Sequence, residues 1–296
     1  MTTNMTANTP LDLLKSWLQR QLPEDAWQWL ADGAEALGIG AADRDLYLAV
    51  SLTPRKVGKA DLQLTPDDFS AADTARPGWY PLNWSVDQAA RLMLMLSASP
   101  DGAEFARRLE QLCITADVRE LIAFYQGLPI FPDPERHVAR AGEGLRTNMK
   151  AVFEAVAHRN PYPAEHLGEV AWNQMVLKAI FVGSTLHPIQ QLDARRNEDL
   201  ARTLVDYAHE RWAASRAIAP ELWRMVGPFA DADMVADLGR PLASDLKVEQ
   251  QAAALALSEC PLAAAKELLN SAPALKSDIE AGRISWETVY RDAPKP

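Results

Sequence analysis

The chain has 296 residues, 48% of them hydrophobic and 24% charged, the proportions of an ordinary folded protein with enough length to bury a large core. Its 40 acidic against 30 basic side chains give a net charge of −10, which excludes a general nucleic-acid binder, because such a protein needs a basic surface to displace counterions. Two cysteines, Cys113 and Cys260, are too few for a disulfide framework and make a reducing, cytoplasmic location the expectation.

The first ten residues lack the basic and apolar regions of a signal peptide. The most apolar runs, 92–96 and 175–182, fall far short of the ~20 residues that cross a bilayer, so a soluble protein with at most peripheral membrane association is expected. Residues 1–9 read as a flexible tail, 10–125 as an N-terminal helical region, 126–220 as a central helical region and 221–296 as C-terminal helices, together one continuous α-helical unit.

Apolar spacing is helical almost throughout. Pro10 opens a helix carrying Leu11, Leu14, Trp17 and Leu18, and Pro23 opens a second that closes at Gly38 and Gly40. Asp43 is expected to cap a helix through Leu46 and Val50 that ends near Pro54, although the alternation Leu46, Leu48, Val50, Leu52 also fits a strand. Residues 55–83 are broken by Pro66, Pro77, Gly78 and Pro81 and read as irregular. Helices follow from Ser85 through Leu96, from about Gly102 to just before Thr115, and around Leu121, Ile122 and Tyr125. Pro129, Pro132 and Pro134 make 127–134 a loop. Three long helices are then expected at about 135–158, 168–182 and 194–215. The remainder reads as short helices joined by tight turns, with small residues at 251–257 that permit close stacking. The fold class is all-α, an irregular stacked-helix (HEAT-like α-solenoid) arrangement with little or no strand.

The acidity is uneven. Residues 1–120 hold 11 basic and 17 acidic side chains and residues 221–296 hold 8 and 12, whereas 121–220 hold 11 of each. This neutral middle also carries all five histidines and nine of the arginines, the side chains best suited to grip anions and to titrate near neutrality. On the expected helix 135–158, Arg146, Lys150, Glu154 and His158 follow one another at i+4. With Arg136 and Arg140 upstream, that ladder could hold an anionic ligand, or it could be a solvated face with an ordinary Lys150–Glu154 pair. Asn148 shares a face with Ala151, Val152 and Ala155 and is expected to be a buried clamp or a ligand contact. Asn160, in the turn Asn160-Pro161-Tyr162-Pro163, joins the candidate binding residues.

Helix 168–182 is apolar nearly all round, interrupted by Asn173, Gln174 and Lys178. Lys178 is a candidate base or nucleophile, or a snorkelling side chain. Asp206, His209 and Glu210 at i, i+3 and i+4 could ligate a metal or run acid–base chemistry, or be a chance surface triplet. Trp79, Tyr80 and Trp84, between prolines, form either an interface anchor or a loop pinned onto the core. No phosphate-binding glycine loop, nucleophile elbow or zinc motif is present, and no cofactor is expected.

With these residues in view, the chain resembles the EboA family of metabolite-traffic proteins. The resemblance is carried by FYQGLPI at 124–130, RHVARAGEGLRTN at 136–148, RNPYP at 159–163, AWNQMVLKAIFVG at 171–183, VDYAHERWAA at 205–214 and LWRMVGPF at 222–229. It implies a bacterial operon protein encoded beside a prenyltransferase-like membrane protein, a metal-dependent hydrolase, a sugar-phosphate cyclase and TIM-barrel-type proteins. Such a system moves or tailors secondary-metabolite precursors toward the periplasm. It carries over no catalytic residues. The expectation is therefore a non-catalytic α-helical binding or adaptor protein for a small anionic metabolite or an operon partner. The alternatives are an enzyme acting on a cyclitol or prenylated intermediate through His209, Asp206 and Lys178 or a bound metal, and a pure scaffold.

Overall fold

Helix starts along the chain are set by side-chain caps and proline. Thr9, Thr65, Asp117 and Ser285 each form a reciprocal capping box, and Asp101, Asn197 and Asp231 accept a backbone N–H of the first turn. A computed structural model describes residues 8–40, 42–98 and 101–294; residues 1–7 of the expected tail lie outside them. By their contacts the residues divide into two compact units, 1–167 and 168–296. Among the described residues there is no strand, only an isolated antiparallel bridge between Asp61 and Ser85. The fold is all-α.

The first unit contains α1 (Pro10–Gln21), α2 (Glu24–Gly38), α3 (Asp43–Lys56), α4 (Pro66–Ala75), α5 (Val86–Ala98), α6 (Gly102–Thr115), α7 (Val118–Gln126), α8 (Val138–Arg146), α9 (Lys150–Ala157) and α10 (Tyr162–His166). α5 is its centre: every side chain from Val86 to Met95 is buried, and α1, α2, α3 and α7 pack around it. Its middle, Leu92–Met95, is buried on every side and apolar on every side, whereas its first turns bury Asp87, Gln88 and Arg91, which take part in hydrogen bonds.

Three local expectations are corrected. Residues 55–83 contain α4, because Pro66 occupies the first helical position, where its missing N–H costs nothing, and Thr65 with Asp68 completes the cap. Asp43 makes no cap bond; it is the first residue of α3 and accepts from Arg107 (2.7 Å) and Arg108 (2.9 Å), while Pro54 lies inside the last turn of α3. The expected helix 135–158 is a 3-10 turn (Pro134–His137), then α8 and α9 separated at Thr147 and Asn148. The Thr147 hydroxyl accepts the Met149 N–H (3.2 Å), a local bond that competes with the helical ladder. Gly144 draws α8 against its neighbours, since a Cβ there would lie 2.7 Å from the Tyr125 ring and from Val156. The i+4 ladder from Arg146 to His158 is therefore interrupted.

The second unit contains α11 (Glu169–Phe181), α12 (Glu198–Ala213), α13 (Trp223–Val226), α14 (Ala232–Leu242), α15 (Lys247–Glu259), α16 (Ala263–Asn270), α17 (Pro273–Glu280) and α18 (Trp286–Asp292). α15 is its centre, with α13, α14, α16, α17 and α18 around it and Ala252, Ala253, Ala254 and Ala256 fully buried. Small side chains let other backbones approach closely. The closest approach is at Gly227, where a Cβ would stand 2.6 Å from the Ala256 carbonyl oxygen and 2.8 Å from its Cα. Backbone cannot swing aside as a side chain can, so Gly227→Ala is expected to destabilise by about 1–3 kcal/mol in urea denaturation. Gly239→Ala, in the interior of α14 with nothing nearer than Leu268 at 4.0 Å, should be neutral or slightly stabilising.

Candidate functional site

In the first unit three segments converge on a cavity of about 260 Å³. α7 contributes Ile122 and Gln126 from one face, and α9 contributes Ala151, Glu154 and Ala155, with His158 one turn on. The third wall is the loop that carries Trp79, Tyr80, Asn83 and Trp84.

The loop is fixed from both sides. Arg76 donates to the Pro129 carbonyl (2.8 Å) and pairs with Glu165, and the Gly78 N–H donates to Asp73 (2.7 Å). At its far end the Leu62 N–H donates to the Trp84 carbonyl (2.8 Å). Trp79 is buried, with its ring centroid 5.3 Å from that of Trp17 and 6.0 Å from that of Trp84. The aromatic loop is thus pinned onto the core, and of its three aromatic side chains only Tyr80 is exposed.

Two non-glycine residues lining the cavity hold left-handed backbone: Asn83 (φ 64°) and Arg159 (φ 49°). Asn tolerates that region, whereas for Arg it costs energy and persists only where the surroundings over-determine it. Asn160 provides the constraint. Its buried amide donates to the Tyr125 (3.0 Å) and Ala155 (3.2 Å) carbonyls, and its oxygen accepts the Tyr162 N–H (3.0 Å). The half-buried Arg159 has no carboxylate partner among the described residues. By contrast, Arg76, Arg91, Arg119, Arg136, Arg140 and Arg146 each meet one. Two further lining residues carry buried polar atoms with no hydrogen-bond partner, Trp79 at Nε1 and Gln126 at Oε1.

Next to the cavity lies a buried charge network. Asp87, fully buried on α5, accepts from Ser85 Oγ (2.6 Å), Arg91 (2.6 Å) and Arg119 (2.9 Å). Burial pushes the Asp87 carboxyl up, but the hydrogen bonds from Arg119, Ser85 and Arg91 outweigh it and hold the group below the usual carboxylate range. The neighbouring Gln88, which lines the cavity, accepts the Ser85 N–H (2.8 Å).

The residues expected from sequence to form a site scatter between the two units. Arg136 pairs with Asp133 (3.2 Å) and Arg146 with Glu143 (2.5 Å), both at the surface and away from the cavity lining. Asn148 is exposed, contrary to the buried role expected of it, because the break between α8 and α9 removes the shared helical face. Lys150 starts α9 and lies 3.9 Å from Glu154. Asn160 lines the cavity as a clamp.

In the second unit, Asn173 on α11 forms a reciprocal amide pair with Asn197 (3.0 and 2.9 Å), and burial lowers the pKa of the half-buried Lys178. Asp206 and Glu210 are exposed on α12, and the carboxylate that His209 meets is Asp237 on α14 at 2.7 Å. Among the described residues no group of three or more His, Cys, Asp or Glu side chains could hold a metal ion. Gln126, Asn83 and Arg159 were not singled out from sequence. The one local sign was the Arg-Asn-Pro turn, whose Asn-Pro step marks a chain reversal.

The described residues thus define an all-α protein with a cavity of small-molecule size between two helices and an aromatic loop. No helix among them is long and apolar enough to cross a membrane. The family model described as metabolite traffic protein EboA matches residues 10–227, and the chain belongs to that family. The match spans every residue that lines the cavity. No curated protein and no solved structure matches the chain.

Proposed function

We propose that the protein is a non-catalytic carrier that holds a small anionic metabolite in the cavity of the first unit. The observation that carries this reading is Arg159: a guanidinium without a carboxylate partner among the described residues, held in costly left-handed backbone at a cavity lined by Trp79, Tyr80 and Trp84. Guanidinium N–H groups fit carboxylate or phosphate oxygens, and the aromatic wall offers an apolar face for the body of the ligand. A ligand hydroxyl or carbonyl could complete the unpartnered Trp79 N–H and Gln126 oxygen, each of which costs about 1–3 kcal/mol while unpaired. Membership of a metabolite-traffic family supports the same reading. The recipients of the cargo would be proteins of the same operon, including a prenyltransferase-like membrane protein met by peripheral association.

The test is native mass spectrometry after incubation with a metabolite extract. Wild type should capture an anionic small molecule. Arg159→Ala should lose about tenfold or more of that capture, the scale of a charge-assisted hydrogen bond. Arg136→Ala and Arg146→Ala, whose guanidinium groups are already paired at the surface, should retain it. Equal capture by Arg159→Ala removes the proposal.

A further inference from the structure

A second cleft, of about 520 Å³, lies in the other unit and shares no residue with the first. Its floor is the indole pair Trp212 and Trp223, with ring centroids 5.8 Å apart. Trp212 comes from the last turn of α12 and the buried Trp223 from α13. α14 and the start of α15 supply the remaining wall, so the cleft is completed by residues beyond the stretch matched by the family.

The arginines of the unit divide by partner: Arg211 donates to the Ala217 carbonyl and Arg195 lies over the Trp172 ring, whereas others meet carboxylates. Arg196, Arg202, Arg224, Arg283 and Arg291 are each paired with a carboxylate. Arg216 and Arg240 have no such partner among the described residues. Arg240 instead lies over the Trp212 ring, 4.6 Å from its centroid. Stacking occupies the face of the guanidinium and leaves its N–H edge available to an oxyanion.

Arg216 is positioned by its turn. Ser215 holds left-handed backbone (φ 54°), and Arg211 donates twice to the Ala217 carbonyl, at 3.0 and 2.7 Å. Two donors on one carbonyl fix the backbone beside Arg216, while its exposed side chain stays free to turn toward a ligand. The cleft also holds two carboxylates, Asp245 and Glu249, and no ion pair joins them to either arginine or to any other cation among the described residues. Unpaired charges of both signs therefore share one aromatic-floored cleft.

We infer that this cleft binds a small bipolar compound. Its carboxylate or phosphate would lie on Arg216 and on the N–H edge of Arg240, whose face already covers the Trp212 ring, and a cationic amine on Asp245 and Glu249. The cleft is large enough for a molecule of that size, and each charged group of such a ligand would meet a side chain of opposite charge that has no ion-pair partner among the described residues. This inference is independent of the reading of the first cavity.

The probe is 4-(aminomethyl)benzoate, titrated into the full chain by calorimetry at low salt, beside benzoate and benzylamine. The bipolar compound should bind saturably with a Kd at or below about 1 mM and about tenfold more tightly than either single-ended analogue. The double variant Arg216→Ala/Arg240→Ala should reduce its affinity to that of benzylamine, and Asp245→Asn/Glu249→Gln to that of benzoate. Arg240→Lys, which keeps the charge but loses the stacked fork, should fall between. Circular dichroism checks that each variant is folded, and Arg159→Ala should bind as wild type does. Absence of saturable binding, or equal affinity in the folded variants, overturns the inference.

Discussion

Asp87→Ala should cost about 3–5 kcal/mol of folding free energy in equilibrium urea denaturation, more than any surface charge of the first unit. Asp87 is fully buried and is the shared acceptor of Ser85, Arg91 and Arg119, and Arg91 is itself buried. Removing the carboxylate leaves a guanidinium inside the core without its counter-charge, and that uncompensated charge is the larger part of the loss. The double variant Asp87→Leu/Arg91→Met removes both charges and should recover most of the stability, because an apolar pair of similar volume fits a buried site at least as well. Failure of the double variant to recover would place the loss in packing.

The pH dependence has a definite sign. The folded Asp87 carboxyl titrates below its ordinary range, so its contribution is complete above the unfolded pKa of about 3.9 and is lost as pH falls through the folded value. The stability gap between wild type and Asp87→Asn should hold from neutrality down to about pH 4 and close below it. A gap that widens on acidification would contradict this assignment of charge.

Trp79→Ala should cost a similar amount, about 3–5 kcal/mol, because it removes the middle ring of three and opens a void next to the candidate cavity. Trp79→Phe separates packing from recognition. Phe keeps most of the apolar contact with Trp17 and Trp84 but has no N–H, and in the native protein that N–H is buried without a partner. Trp79→Phe should therefore lose much less stability than Trp79→Ala, while weakening metabolite capture if the ligand supplies the missing acceptor. Capture unchanged in Trp79→Phe would assign Trp79 a packing role alone.

The helical class was legible because periodicity and caps are local. Pro10, Pro23 and the apolar spacing of α1 and α2 needed no knowledge of neighbours, whereas the central place of α5 in its unit was not read from its apolar run. The signal failed where a local bond competes with the ladder, as at Thr147, and where proline starts a helix rather than ending one, as at Pro66. The site was less legible. Arg136, Arg146, Asp206 and His209 looked promising because i+3 and i+4 spacing is visible in a sequence. Such spacing reports a shared helix face and is silent on whether that face meets a cavity, a carboxylate or solvent.

The net acidity of the chain, its helical class and its family membership are properties that sequence alone determined. They depend on composition, on short-range periodicity and on motifs read along the chain. Which arginines lack a carboxylate was decided only in three dimensions. Arg140 meets Glu110 across 30 positions and Arg224 meets Asp193 across 31, whereas Arg159, Arg216 and Arg240 have no such partner among the described residues. Charge pairing acts over a few ångströms of space and is indifferent to distance along the chain, so the neutral middle of the sequence could point to a region but not to the side chains available within it.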